Sequence, residues 1–457
     1  MMPAPLPHTP HNRRPGDRFY SWLQWTTLAV LALLVFYAFV VSPHIPVPRR
    51  IGFRLVIPSL VACNVLWWSV ADRRVARFVQ PPRLSRWLRL GTGLFSIALN
   101  LPIAYMLITG RMPQFLRSPT WYAGAVTIWH LGLALCMPIV AGLRLIALAA
   151  HRLWRGLRKP ATPPPVEDNE PILTRRAILK TAFATAPVAM LTGATVFSRV
   201  KEGEILIRRH QLAAPWLPSR LRGLTITHVS DLHVGRLFRP YMLPRLVDEV
   251  NSLDSDLVLV TGDIIDNSND MLPDAVNAVG QFTHRHGLYL CIGNHDEIDD
   301  RDSFIRYTRD RLPLLINDRR TLKIGGERLT IGGIEYSRGP QPTGRRSGDL
   351  AAVDEMLLGH SVEREGPVIA LAHHPHAFDT LAPRGVPLTL SGHTHGGQIM
   401  LTPPGVRPAI GFGQLLFHYI RGFYRQADCD LFVNSGVGNW FPLRVCAPAE
   451  IVQIQLV

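Results

Sequence analysis

His228-Val229-Ser230-Asp231-Leu232-His233-Val234-Gly235 is the stretch from which the fold can be read. The apolar, β-branched run Leu224 to Val229 leads into it and reads as a buried strand. Asp231 and His233, two residues apart, project to the same side at strand spacing and can reach one point in space. A carboxylate and an imidazole converging there suit a borderline divalent metal. Four further apolar runs, Leu257–Val260, Leu288–Ile292, Val368–Ala372 and Val386–Leu390, end in the same way. They deliver Gly262-Asp263-Ile264-Ile265-Asp266, Gly293-Asn294-His295-Asp296, His373-His374-Pro375 and Gly392-His393-Thr394-His395-Gly396-Gly397. Ligands in open α/β sheets sit beyond the carboxyl ends of the strands. Five such ends supply enough donors for two metals that share one carboxylate.

The ordered blocks D-x-H, GD-x-x-D, GNHD, H-x-P and GHTHGG resemble the metallophosphoesterase, or calcineurin-like phosphoesterase, superfamily. The ending Leu431-Phe432-Val433-Asn434-Ser435-Gly436-Val437-Gly438, with Arg444 and Ala447-Pro448-Ala449-Glu450, is similar to its YkuE/YaeI-like membrane-associated branch. The resemblance implies a dinuclear centre. Asp231, His233 and His395 would hold one ion and Asn294, His373 and His393 the other, with Asp263 bridging. H-x-P spacing selects His373 over His374. His295 matches the family's non-ligand histidine, which steadies the transition state or protonates the leaving oxygen. Asp266 and Asp296 are expected to orient histidines or the turn. Arg444 is expected either to contact substrate phosphate or to form a structural ion pair. His228 and His376 read as ordinary strand and loop histidines. Mixed N/O ligands leave Mn, Fe, Zn and Co open as the two divalent ions.

The fold expected is an N-terminal α-helical transmembrane region followed by an α/β metallophosphoesterase domain over residues 205–457, a two-sheet β-sandwich flanked by helices. Within that domain Leu243, Leu246, Val247 and Val250 follow helical spacing, and a second helix is expected around Leu272–Arg285. Leu322 to Ile331 reads as a hairpin across Gly325-Gly326. Short strands are expected at Gln398–Leu401, Leu431–Asn434 and Ile451–Leu456. The aromatic and basic segment Val406–Arg425 fits either a membrane-facing lip or a packed surface loop.

The formal charge is +15 over 457 residues, but it is unevenly placed. Residues 1–204 hold 24 Lys+Arg against 7 Asp+Glu, and residues 205–457 hold 25 against 27. The candidate catalytic half is close to neutral, which disfavours a nucleic-acid surface. Residues 1–20 form a polar tail, and residues 21–150 carry four apolar segments long enough to cross a bilayer. They run Trp22–Val41, Phe53–Ala71, Leu90–Thr109 and Tyr122–Ala149. His130 in the last is expected to hydrogen-bond between helices, and Arg144 to reach the interface. The loop Asp72–Arg89 and the stretch after the fourth span are the most basic, which places them in the cytoplasm.

A basic, then proline-rich linker over residues 151–173 precedes Thr174-Arg175-Arg176-Ala177-Ile178-Leu179-Lys180 and a modestly apolar run. Residues 174–199 read as a twin-arginine-like export signal or as a fifth transmembrane helix. Either puts the following domain on the extracytoplasmic side of a bacterial membrane, and the first adds the twin-arginine machinery as a partner. The five cysteines lack metal-binding spacing, and a Cys429–Cys446 disulfide is compatible with an oxidising compartment. The expected activity is hydrolysis of a phosphodiester, pyrophosphate or phosphomonoester. Lipids and lipid-linked pyrophosphates become candidate substrates at a membrane. A membrane sensor or assembly protein with a ligand-binding phosphoesterase-like domain is the alternative.

Overall fold

The computed structural model describes residues 57–79, 82–109, single positions between 126 and 193, and 204–457 apart from 336–346, 404, 407–409, 416 and 440–443. The chain divides into two compact units, Met1–Thr195 and Val196–Val457.

In the first unit the described helices are α1 (Ile57–Phe78) and α2 (Pro82–Thr109). They bracket the expected second and third spans, but the basic loop between them shrinks to residues 79–81. Asp72 and Arg89, expected in that loop, are helical and form a two-point ion pair, Nε to Oδ1 at 2.8 Å and the second nitrogen to Oδ2 at 2.9 Å. Helix propagation is favourable once nucleated, and this pair joins the two helices side chain to side chain. His130 meets Asn100 at 3.2 Å, the expected hydrogen bond between segments. Trp67, Phe95 and Trp129 pack edge to face, with centroids 4.6 Å apart for Trp67–Trp129. On the other side of α2, Trp87, Leu90, Leu94, Ile97, Leu101 and Tyr105 are exposed at helical spacing. Among the described residues, Pro82–Tyr105 is the one helix long and apolar enough to cross a membrane. The first and fourth expected spans, Arg144, the linker and the twin-arginine stretch lie outside the described residues, apart from isolated positions.

The second unit is a mixed α/β sandwich of two six-stranded sheets. The first takes β1 (Ile205–Leu212), β2 (Thr225–Val229), β3 (Leu257–Thr261), β4 (Gly287–Cys291), β5 (Leu314–Leu315) and β12 (Ala449–Leu456) in the order β1-β12-β2-β3-β4-β5. The second takes β6 (Asp318–Ile324), β7 (Glu327–Ile334), β8 (Val368–Ala372), β9 (Leu388–Ser391), β10 (Gly422–Gln426) and β11 (Cys429–Val433) in the order β10-β11-β9-β8-β7-β6. Strands β2 to β5 are parallel, as are β7, β8, β9 and β11.

Continuous apolar runs fit strands buried on both faces. In β3, Leu257 and Leu259 point between the sheets, while Val258 and Val260 meet the core shared with α3 (Leu243–Asn251), α4 (Leu272–Val279) and α5 (Arg301–Arg309). In β8, Ile369 and Leu371 point between the sheets. Val368, Ala370 and Ala372 pack under α6 (Ser347–Leu357) and α8 (Phe378–Leu381). Two helical layers therefore enclose two sheets.

Gly325 and Gly326, at φ +60° and +89°, form the expected hairpin turn. A two-residue link with both φ values positive matches strand twist. Two expectations need correction. The helix begun at Leu272 stops at Val279 rather than near Arg285, where Gly280 follows. Gln398–Leu401 is no strand: Ile399 and Met400 make only isolated bridges to Val445 and Gly411. Cys429 and Cys446 are free thiols; Cys429 is buried and its Sγ lies 3.6 Å from the Ala382 carbonyl.

Candidate metal centre

All five blocks lie at the carboxyl ends of β2, β3, β4, β8 and β9, and the parallel register brings them together. The turns that follow these strands are tight. Asp231, His233, Asp263, His393 and His395 all sit at φ between +47° and +69°, five of the ten described non-glycine residues with positive φ. Such conformations cost on the order of 1–3 kcal/mol each and collect where geometry serves function. Two glycines leave room for the carboxylates. A Cβ on Gly293 would lie 2.2 Å from Asp263 Oδ1, and one on Gly392 would lie 2.1 Å from Asp231 Oδ2.

Asp263 stands in the middle. Its Oδ2 is 3.5 Å from His233 Nε2 on one side and 3.1 Å from His373 Nε2 on the other. On the His233 side, His395 Nε2 lies 3.0 Å from His233 Nε2 and 3.4 Å from Asp231 Oδ1. On the His373 side, Nε2 lies 3.1 Å from both Asn294 Oδ1 and His393 Nδ1. Each of the seven ligands expected from the sequence therefore reaches one of two donor groups that meet at Asp263. His374 stays outside, its ring 4.5 Å from that of His393, with Phe417 against both.

The residues present fit a metal. Asp231, His233 and His395 offer donor atoms within 4.8 Å of one another, and so do Asp263, His373 and His393. Bare imidazole nitrogens 3.0 Å apart in a buried cluster with carboxylates form the mixed N/O set that borderline divalent ions take. The electrostatics agree. Burial opposes ionisation of Asp263, yet the His373 and His233 imidazoles hold it below the usual carboxylate range. Burial likewise works against charge on His373, but Asp263 pushes it up to about 9. Positive charge beside Asp263 is favoured, as a cation bound there would also be.

His295 is placed differently. Its Nδ1 donates to the Asp266 carbonyl at 2.5 Å and lies 3.6 Å from the Asp266 carboxylate. Its backbone N–H donates to Asp263 Oδ1 at 2.7 Å. With Nδ1 committed, Nε2 is left for the centre, and a His295 nitrogen falls within 4.8 Å of the His233 and Asp263 donors. Its side chain is 21% exposed, whereas His233 and His373 are fully buried. Burial opposes its protonation, but Asp266 and Asp263 outweigh that and raise its pKa.

The supporting residues surround these donors. Asp266 orients His295 and is itself clamped by Arg236, Nε to Oδ2 at 2.5 Å. Asp296 accepts backbone N–H groups of Gly293, Asp263 and Ile264 and so ties the β3 and β4 turns together. Burial and nearby Asp263 push its carboxyl up to about 7. Arg444 makes no ion pair among the described residues. Its guanidinium donates to the carbonyls of Ser435, Gly436, Gly438 and Ala447, beneath the His395 loop. A planar fork with five donors suits several converging carbonyls better than one carboxylate. His228 is a buried strand residue bonded to Thr261, and His376 pairs with His374. Ser230, whose hydroxyl donates to Asp231 Oδ2 at 2.5 Å, and Arg236 were not singled out from sequence. Their one signal there is adjacency to the D-x-H-x-G run. Within the Val406–Arg425 segment, Tyr419 is buried and its hydroxyl donates to Asp379, while Val406 and Ile410 are exposed.

The calcineurin-like phosphoesterase family model matches residues 224–397, the span that holds every one of these donors. This span is a calcineurin-like metallophosphoesterase domain. Similar proteins carry the same designation. An uncharacterized metallophosphoesterase of Helicobacter pylori is 30% identical over 239 residues, covering 51% of this chain and 60% of that one. A zebrafish (Danio rerio) transmembrane protein with metallophosphoesterase domain is 30% identical over 249 residues, 52% of this chain and 54% of that one. The uncharacterized metallophosphoesterase YkuE of Bacillus subtilis is 27% identical over 303 residues, 62% and 98% respectively. The chain thus matches about 60% of the length of the Helicobacter metallophosphoesterase.

Proposed function

We propose that this metallophosphoesterase is a membrane-anchored, extracytoplasmic hydrolase of phosphate esters or pyrophosphates that works with two divalent ions. The observation that carries it is Asp263 Oδ2, placed between His233 Nε2 and His373 Nε2. Asp231, His233 and His395 would hold one ion, and Asn294, His373 and His393 the other. Bound there, such ions supply an acidified water and neutralise phosphoryl oxygens. The chain's own residues do the rest. Asp296 and Arg444 hold the loops still, so the donors are in place before substrate arrives. Asp266 fixes the His295 tautomer with the proton on Nδ1, and its charge favours a second proton on Nε2. A protonated, partly exposed His295 at the mouth is placed to hand that proton to the leaving oxygen.

The anchor is supported by the exposed apolar stripe of α2. The extracytoplasmic side is supported by the basic residues near the second and fourth spans and the twin-arginine-like stretch. Membrane tethering favours a lipid or lipid-linked pyrophosphate as substrate. The test is hydrolysis of bis-(p-nitrophenyl) phosphate by the full chain with Mn²⁺ or with chelator. Asp263→Asn and His295→Ala are assayed alongside. Turnover that needs metal and falls at least about a hundredfold in both variants is expected. Turnover that survives Asp263→Asn would remove the shared carboxylate from the reading. A reporter fused after Val200 checks the side, and activity only in the cytoplasm would overturn it.

A further inference from the structure

The edge strands β1 and β10 lie on the same side of the sandwich, and between them is a cavity of about 420 Å³. That volume lies within the roughly 300–1,000 Å³ of small-molecule sites. Its apolar wall is Phe423 and Phe432, against which the His210 ring packs with centroids 5.5 and 5.7 Å away. Its charged wall is Arg208, Arg421 and Glu450. Arg208 Nε lies 2.7 Å from Glu450 Oε2, but without hydrogen-bond geometry, and is buried without a hydrogen-bond partner. The other Glu450 oxygen accepts the Ser435 N–H at 2.8 Å. Arg421 has no carboxylate partner among the described residues; it donates to the carbonyls of Thr402, Pro403 and Cys446. His210 makes no hydrogen bond among the described residues. Two guanidiniums therefore face one carboxylate, in a space whose other wall is aromatic.

Two guanidiniums sharing one carboxylate leave the cavity wall net positive, and the buried Arg208 Nε–H lacks hydrogen-bond geometry to that carboxylate. We propose that this cavity binds an anionic amphiphile, with a phosphoryl head at Arg208, Arg421 and His210 and an apolar body against Phe423 and Phe432. A free anion would satisfy the cations but leave the aromatic wall wet. The site is separate from the metal centre but shares a wall with it. The Ile420 carbonyl, on the cavity side, accepts from Thr394 Oγ1 at 2.5 Å, and Ser435 closes against Gly396.

Binding is measured by calorimetry on the full chain in non-ionic detergent with excess EDTA, so that no divalent ion contributes. The probes are octyl phosphate, inorganic phosphate and octanol. Octyl phosphate is expected to bind at least about tenfold tighter than either of the others. Arg208→Leu should weaken it by about tenfold, the scale of a charge-assisted hydrogen bond, and Arg208→Lys should restore part of the loss. His210→Phe keeps the ring against Phe423 and Phe432, so it serves if Arg208→Leu fails to fold, and should weaken binding severalfold. Equal affinity in wild type and His210→Phe would place the binding elsewhere. Inorganic phosphate binding as tightly would remove the apolar part of the proposal, and octanol binding as tightly would remove the anionic part. Heat is read here rather than turnover, so the result is independent of the phosphoesterase reading.

Discussion

Arg444 directs its guanidinium to the carbonyls of Ser435, Gly436, Gly438 and Ala447, so its loss leaves several buried acceptors unpaired. At roughly 1–3 kcal/mol for each unsatisfied group, Arg444→Leu should destabilise the domain by about 3 kcal/mol or more. Lysine lacks the planar fork, so Arg444→Lys should not rescue it. Thermal unfolding of both variants checks this; normal stability with only a raised KM would mean that Arg444 meets substrate instead. His228 is a second residue with a readable consequence. Burial holds its imidazole down to about 3, with Asp231 a weaker opposing influence. Below the unfolded pKa of about 6.5 the unfolded chain takes up a proton that the folded chain refuses, so stability falls as pH falls. Between pH 7.5 and 5.5 the wild type should lose about 1.4 kcal/mol more stability than His228→Gln. Equal pH slopes for the two proteins would show that His228 protonates freely in the folded state.

At the scale of elements, two glycines separate space from conformation. Gly392 opens the turn after β9, where a Cβ would lie 1.9 Å from Ser230 Oγ and 2.1 Å from Asp231 Oδ2. Gly392→Ala should displace Asp231 and weaken metal binding by roughly 10–100-fold, the scale seen when a ligand's support is removed. Gly325 in the β6–β7 hairpin has φ +60° with nothing near its would-be Cβ. Gly325→Ala should therefore cost only about 1 kcal/mol of stability and leave metal affinity unchanged. Metal titration and unfolding on the same two variants test the contrast. A Gly392→Ala protein with wild-type metal affinity would show that the turn can yield without moving Asp231. The strands themselves were readable because both faces are buried. Gln398–Leu401 misled because Met400 serves the small Met400–Ile420–Ala447 cluster rather than a ladder, while Leu401 is exposed.

The whole molecule divides into two units with their own cores. Residues 204–457 hold the inter-sheet core and the helix-covered cores on both outer faces, all built from their own side chains. That region should fold when expressed without residues 1–203, with one cooperative unfolding transition. Chelator should lower its midpoint, because a ligand held only by the native state stabilises it, by about 2.7 kcal/mol at a hundredfold excess over Kd. Circular dichroism melts with and without EDTA measure both, and a chain that stays unfolded alone would tie the domain to residues 1–203.

The seven candidate ligands were legible because each follows an apolar run and a turn residue, so strand period and chain order bring them to one edge. The long apolar helix over Leu90–Thr109 was legible for a similar reason, since length and apolarity are local properties. What the linear order left open depends on contacts between distant segments. Only the packed structure brings the Arg444 guanidinium to backbone carbonyls, since the Ser435–Gly438 and Ala447 carbonyls converge only once β11 and β12 are in place. Only it pairs Asp72 with Arg89 across a turn. Only it leaves Arg208 beside an aromatic cavity, because which residues line a sheet's open edge is decided by strand order, and no local periodicity encodes strand order.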